Sequence, residues 1–222
     1  LEGRESAGIY RDPDELKRDL ACIRDSLTMH RADDIARHEV ETLIRQVELF
    51  GFHLLTLDIR QHSGVHEQAL KEILQSVGLV KDYSQLTERE KIDVLTRLLT
   101  DPRPLISPFT TFSDETAQCI ELFHVIRKAK ETFGEDAIRN YLVSMTRGTS
   151  DLLEVLVLAK EAGLYGPTPT GEVVDRLHAV PLLETIDDLH RAEDIMEAYF
   201  RNPGYVPAYA DTTQLQEIML GY

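Results

Sequence analysis

Four short apolar runs alternate with longer helical ones, and this alternation constrains the fold more than any other feature of the sequence. The runs are HLLTLDIR (53–60), AIRNYLVSM (137–145), LHAVPLLET (177–185) and QEIMLGY (216–222). Each is typical of a buried strand, and helical crossovers between successive strands force parallel pairing. The sequence therefore predicts a predominantly helical α/β fold, in which about four parallel strands form part of a barrel or of a wound sheet.

The helix boundaries carry clear signals. Asp12 followed by Pro13 predicts a helix start, and Gly51 predicts the end of a second helix that begins near residue 32. Thr87 and Glu90 have the spacing of a capping box. The proline-rich segment 101–112 predicts a surface loop, after which Ser113 would cap a long helix to Phe133. Ser150 would cap the helix DLLEVLVLAKEAG (151–163), and Thr185 would open another.

Composition argues against two classes of partner. The 222 residues include 39 acidic and 24 basic side chains, and a formal charge of −15 would repel a polyphosphate backbone. Nucleic acid is therefore not expected as a partner. The sequence has no uninterrupted apolar stretch of the ~20 residues that a spanning helix needs, and it has no N-terminal signal pattern. We expect no membrane partner and a cytoplasmic location.

The ends of the predicted strands are where functional residues are expected. In a barrel or a wound sheet, ligands bind at the carboxyl ends of the strands, which here carry Arg60 with Gln61, the segment 145–150, and Glu184 with Thr185. Arg60 could grip a phosphate or carboxylate bidentately, or form a salt bridge to Glu184 or another strand-end acid. Glu184 could bind a hard divalent cation or accept a proton, or it could merely cap the next helix or pair with a cation.

Two further patterns leave alternatives open. The segment TRGTSD (146–151) could form a nest of amides that binds an anion, or an ordinary loop capped by Ser150. His62 and His66 have the spacing of helical metal ligands, but the first has no Glu beside it, so a zinc site is the weaker interpretation. The sequence contains no phosphate-binding glycine loop and no nucleophile signature, so nucleotide binding and acyl transfer have no positive support.

Longer segments around the strand ends resemble a known family. They are FGFHLLTLDIRQHS (50–63), YLVSMTRGTSDLLEVLVLAKEAGL (141–164), VPLLETIDDLHRAEDIM (180–196) and QEIMLGY (216–222). Together they resemble phosphoenolpyruvate carboxylase, in the order and at the spacing of that family, and with the helices between them they cover nearly the whole chain.

The resemblance implies a lyase built on a β/α barrel, which joins phosphoenolpyruvate to bicarbonate with Mg²⁺ or Mn²⁺ and gives oxaloacetate and phosphate. This is an anaplerotic carbon fixation that feeds the tricarboxylic acid cycle, and the full-length enzyme is expected to be a homotetramer. The Arg of the LDIRQ motif contacts the substrate phosphate in the family, which implies that role for Arg60. The Glu of the PLFET motif is a metal ligand, which implies that role for Glu184, although Leu183 replaces the usual Phe.

Other parts of the family pattern are absent from the sequence. These are the Ser-Asp-Ser turn with the second metal ligand, which would follow QEIMLGY, the upstream TAHPT-type histidine, the Gly- and Arg-rich loop and the C-terminal effector region. The resemblance thus implies a single partial domain, with a helical region over 1–50 and the βα units of an incomplete barrel over 51–222. We expect no catalytic residue within the chain, weak or absent metal binding, and no catalysis by the fragment alone.

Two alternatives remain from the sequence. The chain could be a stand-alone carboxylase-like domain with a binding or regulatory role and no catalysis. It could also belong to an unrelated metal-dependent lyase that acts on a phosphorylated enol through the same Arg60 and Glu184.

Overall fold

The computed structural model describes residues 9–167, 173–205 and 215–221, and the chain divides into two compact units. The first comprises the described part of Leu1–Thr56 together with Thr132–Ala137. The second comprises the described parts of Leu57–Glu131 and Ile138–Tyr222. Among the described residues, no helix is both long and apolar enough to cross a membrane.

The first unit is helical. It contains α1 (Pro13–Met29), α2 (Asp33–Ile35), a π-helical turn (Ala36–Val40), α3 (Glu41–Phe50) and a 3-10 turn (Glu135–Ala137). Asp12 caps α1 by accepting a hydrogen bond of 2.8 Å from the amide of Glu15, and Pro13 occupies the first helical position, where no amide is needed. Gly51 ends α3 with a φ of 49°, a conformation that side chains disfavour. Both predicted boundaries are confirmed.

Five helices and six strands make up the part of the second unit that the structure describes. The helices are α4 (Ser63–Ser76), α5 (Glu88–Thr100), α6 (Asp114–Phe133), α7 (Thr149–Glu161) and α8 (Ile186–Phe200), and a 3-10 turn covers Tyr83–Gln85. The strands are β1 (Leu57–His62), β2 (Ile138–Ser144), β3 (Tyr165–Pro167), β4 (Val173–Asp175), β5 (His178–Leu183) and β6 (Met219–Leu220). The capping box of Thr87 and Glu90 at α5 is confirmed, and so is the cap of Ser113 at α6.

Four of the strands form one parallel sheet in the order β1-β2-β5-β6. In its register, Arg60 is paired with Leu142, Leu142 with Val180, and Leu182 with Met219. The α/β class and the four parallel strands are therefore confirmed. No sequence pattern predicted β3 and β4, which form a short antiparallel ribbon separate from this sheet.

The core of the second unit surrounds α7. This helix contacts α4, α5 and α8 as well as β3 and β5, and ten of its thirteen residues are buried. A helix with neighbours on every side must be apolar on every side, which explains the run LLEVLVLA in its middle. The packing of α7 fixes the loop that joins it to β2 and thus the carboxyl edge of the sheet.

Three predicted boundaries are wrong. Of the predicted buried strand QEIMLGY (216–222), only Met219–Leu220 form a strand among the described residues and both are exposed, while Tyr222 lies outside the described residues. The first strand begins at Leu57 and not at His53, because Leu54 has a φ of 67° and cannot continue an extended strand. Ser150 does not cap α7, because the helix begins earlier and Gly148 is its N-cap. The side chain of Asp151 accepts the hydrogen bond from the Gly148 amide, so the capping carboxylate lies inside the first turn.

One carboxyl group lies in the middle of this core. Glu154 of α7 is fully buried, and its Oε1 accepts a hydrogen bond of 2.9 Å from the hydroxyl of Tyr83. Its Oε2 has no hydrogen-bond partner within the described part of the chain. Burial, reinforced by the nearby carboxylate of Asp151, raises the pKa of Glu154 well above its usual value.

The raised pKa makes stability depend on pH in a defined direction. The folded protein holds the proton of Glu154 more tightly than the unfolded chain, whose glutamates titrate near about 4.3, so folding loses stability as pH rises above that value. The neutral Glu154→Gln variant removes this loss. The free energy of unfolding is measured by urea denaturation at several pH values. Relative to the wild type, that of the variant should rise by up to about 1.4 kcal/mol per pH unit, until the pH passes the pKa of Glu154 in the folded protein. Glu121→Gln, at an exposed position, is the control and should show no such trend with pH. A difference in the free energy of unfolding between Glu154→Gln and the wild type that stays constant with pH would contradict this account.

Candidate functional site

Three polar side chains from neighbouring strands meet at the carboxyl edge of the parallel sheet. Arg60 of β1 donates a hydrogen bond from Nε to Oγ of Ser144, the last residue of β2, at 2.6 Å. Its Nη2 donates to Oε1 of Glu184, which follows β5, at 3.3 Å. The structure thus brings together the two residues that the sequence analysis selected. Ser144 was missed, although the alternation of side chains along neighbouring strands could have placed it beside Arg60.

Glu184 is held by the backbone as well as by Arg60. Its Oε2 accepts a hydrogen bond of 2.7 Å from the amide of Met145, which has a φ of 58°. It does not cap α8, because Thr185 and Asp188 form the capping box of that helix with reciprocal bonds of 3.1 Å. Of the two structural roles predicted for Glu184, pairing with a positively charged side chain is confirmed, and capping of the next helix is wrong.

The ion pair between Arg60 and Glu184 contributes little to stability. The side chains are 57% and 28% exposed, and an exposed pair with one contact is worth less than about 1 kcal/mol because water screens it. Its consequence is local: a guanidinium and a carboxylate lie side by side at the edge of the sheet where α/β proteins bind ligands. An incoming anion and an incoming cation could each replace one half of the pair.

Gly221 gives β6 close access to this edge. Its amide donates a hydrogen bond of 2.8 Å to the carbonyl of Leu183, and a Cβ at this position would lie 3.1 Å from Cα of Glu184. A side chain there would press on the backbone that carries the carboxylate. The glycine of the closing QEIMLGY run therefore allows the fourth strand to pass directly beside Glu184.

Comparison with known proteins identifies the family. A family model described as phosphoenolpyruvate carboxylase matches residues 2–222. The chain belongs to the phosphoenolpyruvate carboxylase family. It is 41% identical over 227 residues to the phosphoenolpyruvate carboxylase of Burkholderia mallei (strain SAVP1), and 38% identical over 225 residues to that of Ralstonia nicotianae (strain ATCC BAA-1114 / GMI1000). Each alignment covers 99% of this chain and 23% of the relative, so the chain spans about a quarter of the length of these curated relatives.

The loop between β2 and α7 of this carboxylase-family chain is closed by carboxylates. Asp151 Oδ2 accepts hydrogen bonds from the amides of Arg147 and Gly148 at 2.7 and 3.0 Å. Glu88, the first residue of α5, accepts from the amide and the hydroxyl of Ser150 at 2.8 and 2.6 Å. The amides of Thr146, Arg147, Gly148 and Ser150 are thus already bonded, which argues against an anion nest in TRGTSD. Glu88 lies 62 positions before Ser150, and no local sequence signal could have indicated the contact.

The two histidines of HSGVH have separate structural roles. His62 accepts a hydrogen bond at Nδ1 from the amide of Gly64 at the start of α4. His66 is fully buried with Nε2 at 2.9 Å from the hydroxyl of Tyr141, and burial together with the nearby His62 lowers the pKa of His66 to about 3. Within the described ranges, no group of three or more His, Cys, Asp and Glu could hold a metal ion. The zinc interpretation therefore has no support there.

The contact of Glu88 with the loop predicts an unusual effect at Gly148. A Cβ at Gly148 would lie 2.5 Å from Oε1 of Glu88, so Gly148→Ala should displace that carboxylate and break its hydrogen bonds to Ser150. We expect a loss of about 1–3 kcal/mol in the free energy of unfolding, measured by chemical denaturation. In a Glu88→Ala background, the same substitution should cost much less, because the displaced group is gone. If Gly148→Ala lowered the free energy of unfolding equally in both backgrounds, displacement of Glu88 would not be the cause of the loss.

Proposed function

We propose that the polypeptide to which this chain belongs carboxylates phosphoenolpyruvate with bicarbonate, giving oxaloacetate and phosphate, as an anaplerotic lyase of the cytoplasm. The observation that carries the proposal is the pairing of Arg60 with Glu184 at the carboxyl edge of the parallel sheet, in a chain of this family. An anion-binding and a cation-binding side chain are adjacent there, as a phosphorylated substrate and its metal would require.

Arg60 is proposed to bind the phosphate of the substrate. A guanidinium stays charged at every physiological pH and matches two phosphate oxygens at once. Arg60 is more than half exposed, and its Nη1 makes no hydrogen bond to any residue that the structure describes. It can therefore accept a phosphate and stabilise the negative charge that remains on it as the bond to the enol oxygen breaks.

Glu184 is proposed to be a ligand of Mg²⁺ or Mn²⁺. Magnesium is usually bound through one or two carboxylates together with water and substrate oxygens, and Glu184 offers one partly exposed carboxylate. Among the described residues, its oxygens accept hydrogen bonds only from an amide and one exposed guanidinium, so lone pairs remain for a cation. When bound, such a cation would supply Lewis-acid stabilisation of enolate and phosphate oxygens. The chain itself supplies the orientation of the carboxylate, through the amide of Met145.

The sheet is further proposed to be part of a β/α barrel that this chain leaves incomplete. Its four strands are parallel and joined by helices, and Leu57 of β1 and Leu220 of β6 are exposed on its outer strands at 53% and 61%. Exposed apolar edge strands need a partner, which further strands would supply. We infer that the isolated chain binds metal weakly and does not catalyse, and that the full-length enzyme is a homotetramer.

Carboxylation by the full-length polypeptide tests the proposed function. Oxaloacetate can be followed through its reduction by malate dehydrogenase, with Mg²⁺ present. We expect Arg60→Ala and Glu184→Ala each to lower kcat/KM by at least about 100-fold, since each removes a group that faces developing charge. The control is Arg201→Ala, which breaks another exposed ion pair, to Glu197 at 2.7 Å, and should leave the rate unchanged.

Other outcomes would separate the alternatives. A full-length polypeptide without activity would contradict the enzymatic proposal and favour a binding or regulatory domain. Activity of this chain alone would contradict the inference that its site is partial. Turnover of a different phosphorylated enol in competition with phosphoenolpyruvate would favour the unrelated lyase.

A further inference from the structure

We propose that Ser144 is a positioning residue, whose hydroxyl fixes the guanidinium of Arg60 in the orientation that binds the substrate phosphate. The inference rests on the proposed function, because it concerns how this chain prepares Arg60 for a phosphorylated ligand. It is carried by the 2.6 Å contact between Arg60 Nε and Ser144 Oγ.

Ser144 is the stronger of the two restraints on Arg60. An arginine side chain is long and loses much conformational entropy when it is ordered, and this one is more than half exposed. The contact with Glu184 is 3.3 Å long and reaches water, whereas Ser144 is only 8% exposed. A short charge-assisted hydrogen bond in a partly buried place holds the guanidinium far better than a long exposed one.

The backbone around Ser144 is rigid enough to serve as a reference point. Ser144 pairs with His62 at the end of β2, and β2 itself is a central strand that lies between β1 and β5. The next residue is fastened on two sides: the carbonyl of Met145 accepts from Ser63 Oγ at 3.0 Å, and its amide donates to Glu184. Side chains on strands that are fixed by hydrogen bonds in this way position a binding site more accurately than side chains on loops. Two consecutive residues, Ser144 at the end of β2 and Met145 directly after it, therefore set the positions of both Arg60 and Glu184.

The contact also decides which edge of the guanidinium remains available. Arginine can grip a phosphate through Nε with one terminal nitrogen, or through its two terminal nitrogens. In this structure Nε is already bonded to Ser144, and Nη1 has no hydrogen-bond partner among the residues described. The terminal edge is thus directed to the ligand. Without Ser144, Glu184 would be the one described residue left to orient the guanidinium, and Glu184 competes with the phosphate for it.

The test uses the full-length enzyme with Ser144→Ala and the conservative Ser144→Thr, which keeps the hydroxyl. Three quantities are measured: KM and kcat for phosphoenolpyruvate, and the calorimetric Kd of phospholactate, an analogue without an enol. We expect Ser144→Ala to raise KM and Kd by about tenfold, the effect of one hydrogen bond to a charged group, with kcat changed by less than about twofold. Ser144→Thr should restore both, and Ser76→Ala at the end of α4 should match the wild type.

A double-mutant cycle shows whether Ser144 acts through Arg60. In an Arg60→Ala background, Ser144→Ala should not weaken phospholactate binding further, because the group that it positions is absent. Unchanged KM and Kd in Ser144→Ala would overturn the inference, as would an equal further loss in the Arg60→Ala background or a failure of Ser144→Thr to restore binding. An inactive wild-type enzyme would contradict the proposed function itself, whereas an active wild type with a normal Ser144→Ala variant contradicts only the positioning role.

Discussion

Parallel pairing around β2 is the interaction on which the second unit depends. Because β1 and β5 both pair with β2 in parallel, their carboxyl ends lie at one edge of the sheet, and residues separated by more than a hundred positions become neighbours. A shift of one residue in either register would turn Arg60 or Glu184 to the opposite face. The buried side chains that hold the register are thus also responsible for the site.

The packing of α7 imposes the next constraint. This helix must enter the core at a fixed angle, and its first turn is tied by Glu88 to the start of α5. The loop before it consequently has little freedom, and Met145 adopts a positive φ that turns its amide toward Glu184. A left-handed conformation of a residue other than glycine costs about 1–2 kcal/mol, which the surrounding bonds offset. The local strain at Met145 coincides with the contact that orients the carboxylate.

Much of this arrangement follows from local sequence patterns, and the remainder depends on distant contacts. The βα alternation and the caps at Asp12 and Thr87 could be predicted because each signal lies within a few residues. Strand-end position was enough to select Arg60 and Glu184. The bonds of Glu88 to Ser150 and of Arg60 to Ser144 join residues that lie 62 and 84 positions apart, and no short window of sequence contains either pair. The late start of β1 likewise reflects where β2 offers it partners.

The mutual neutralisation of Arg60 and Glu184 has a consequence for ligand binding. In a chain with a formal charge of −15, a phosphate meets general repulsion, and a single arginine is a modest counterweight. A phosphate that binds Arg60 alone separates the guanidinium from Glu184 and leaves that carboxylate unpaired. A metal ion that binds Glu184 alone likewise leaves the guanidinium of Arg60 unpaired. When both bind together, each separated charge gains a new partner, and the ligands also attract one another. If the site binds the ligands proposed above, the geometry of the pair therefore favours their joint binding over binding of either one alone.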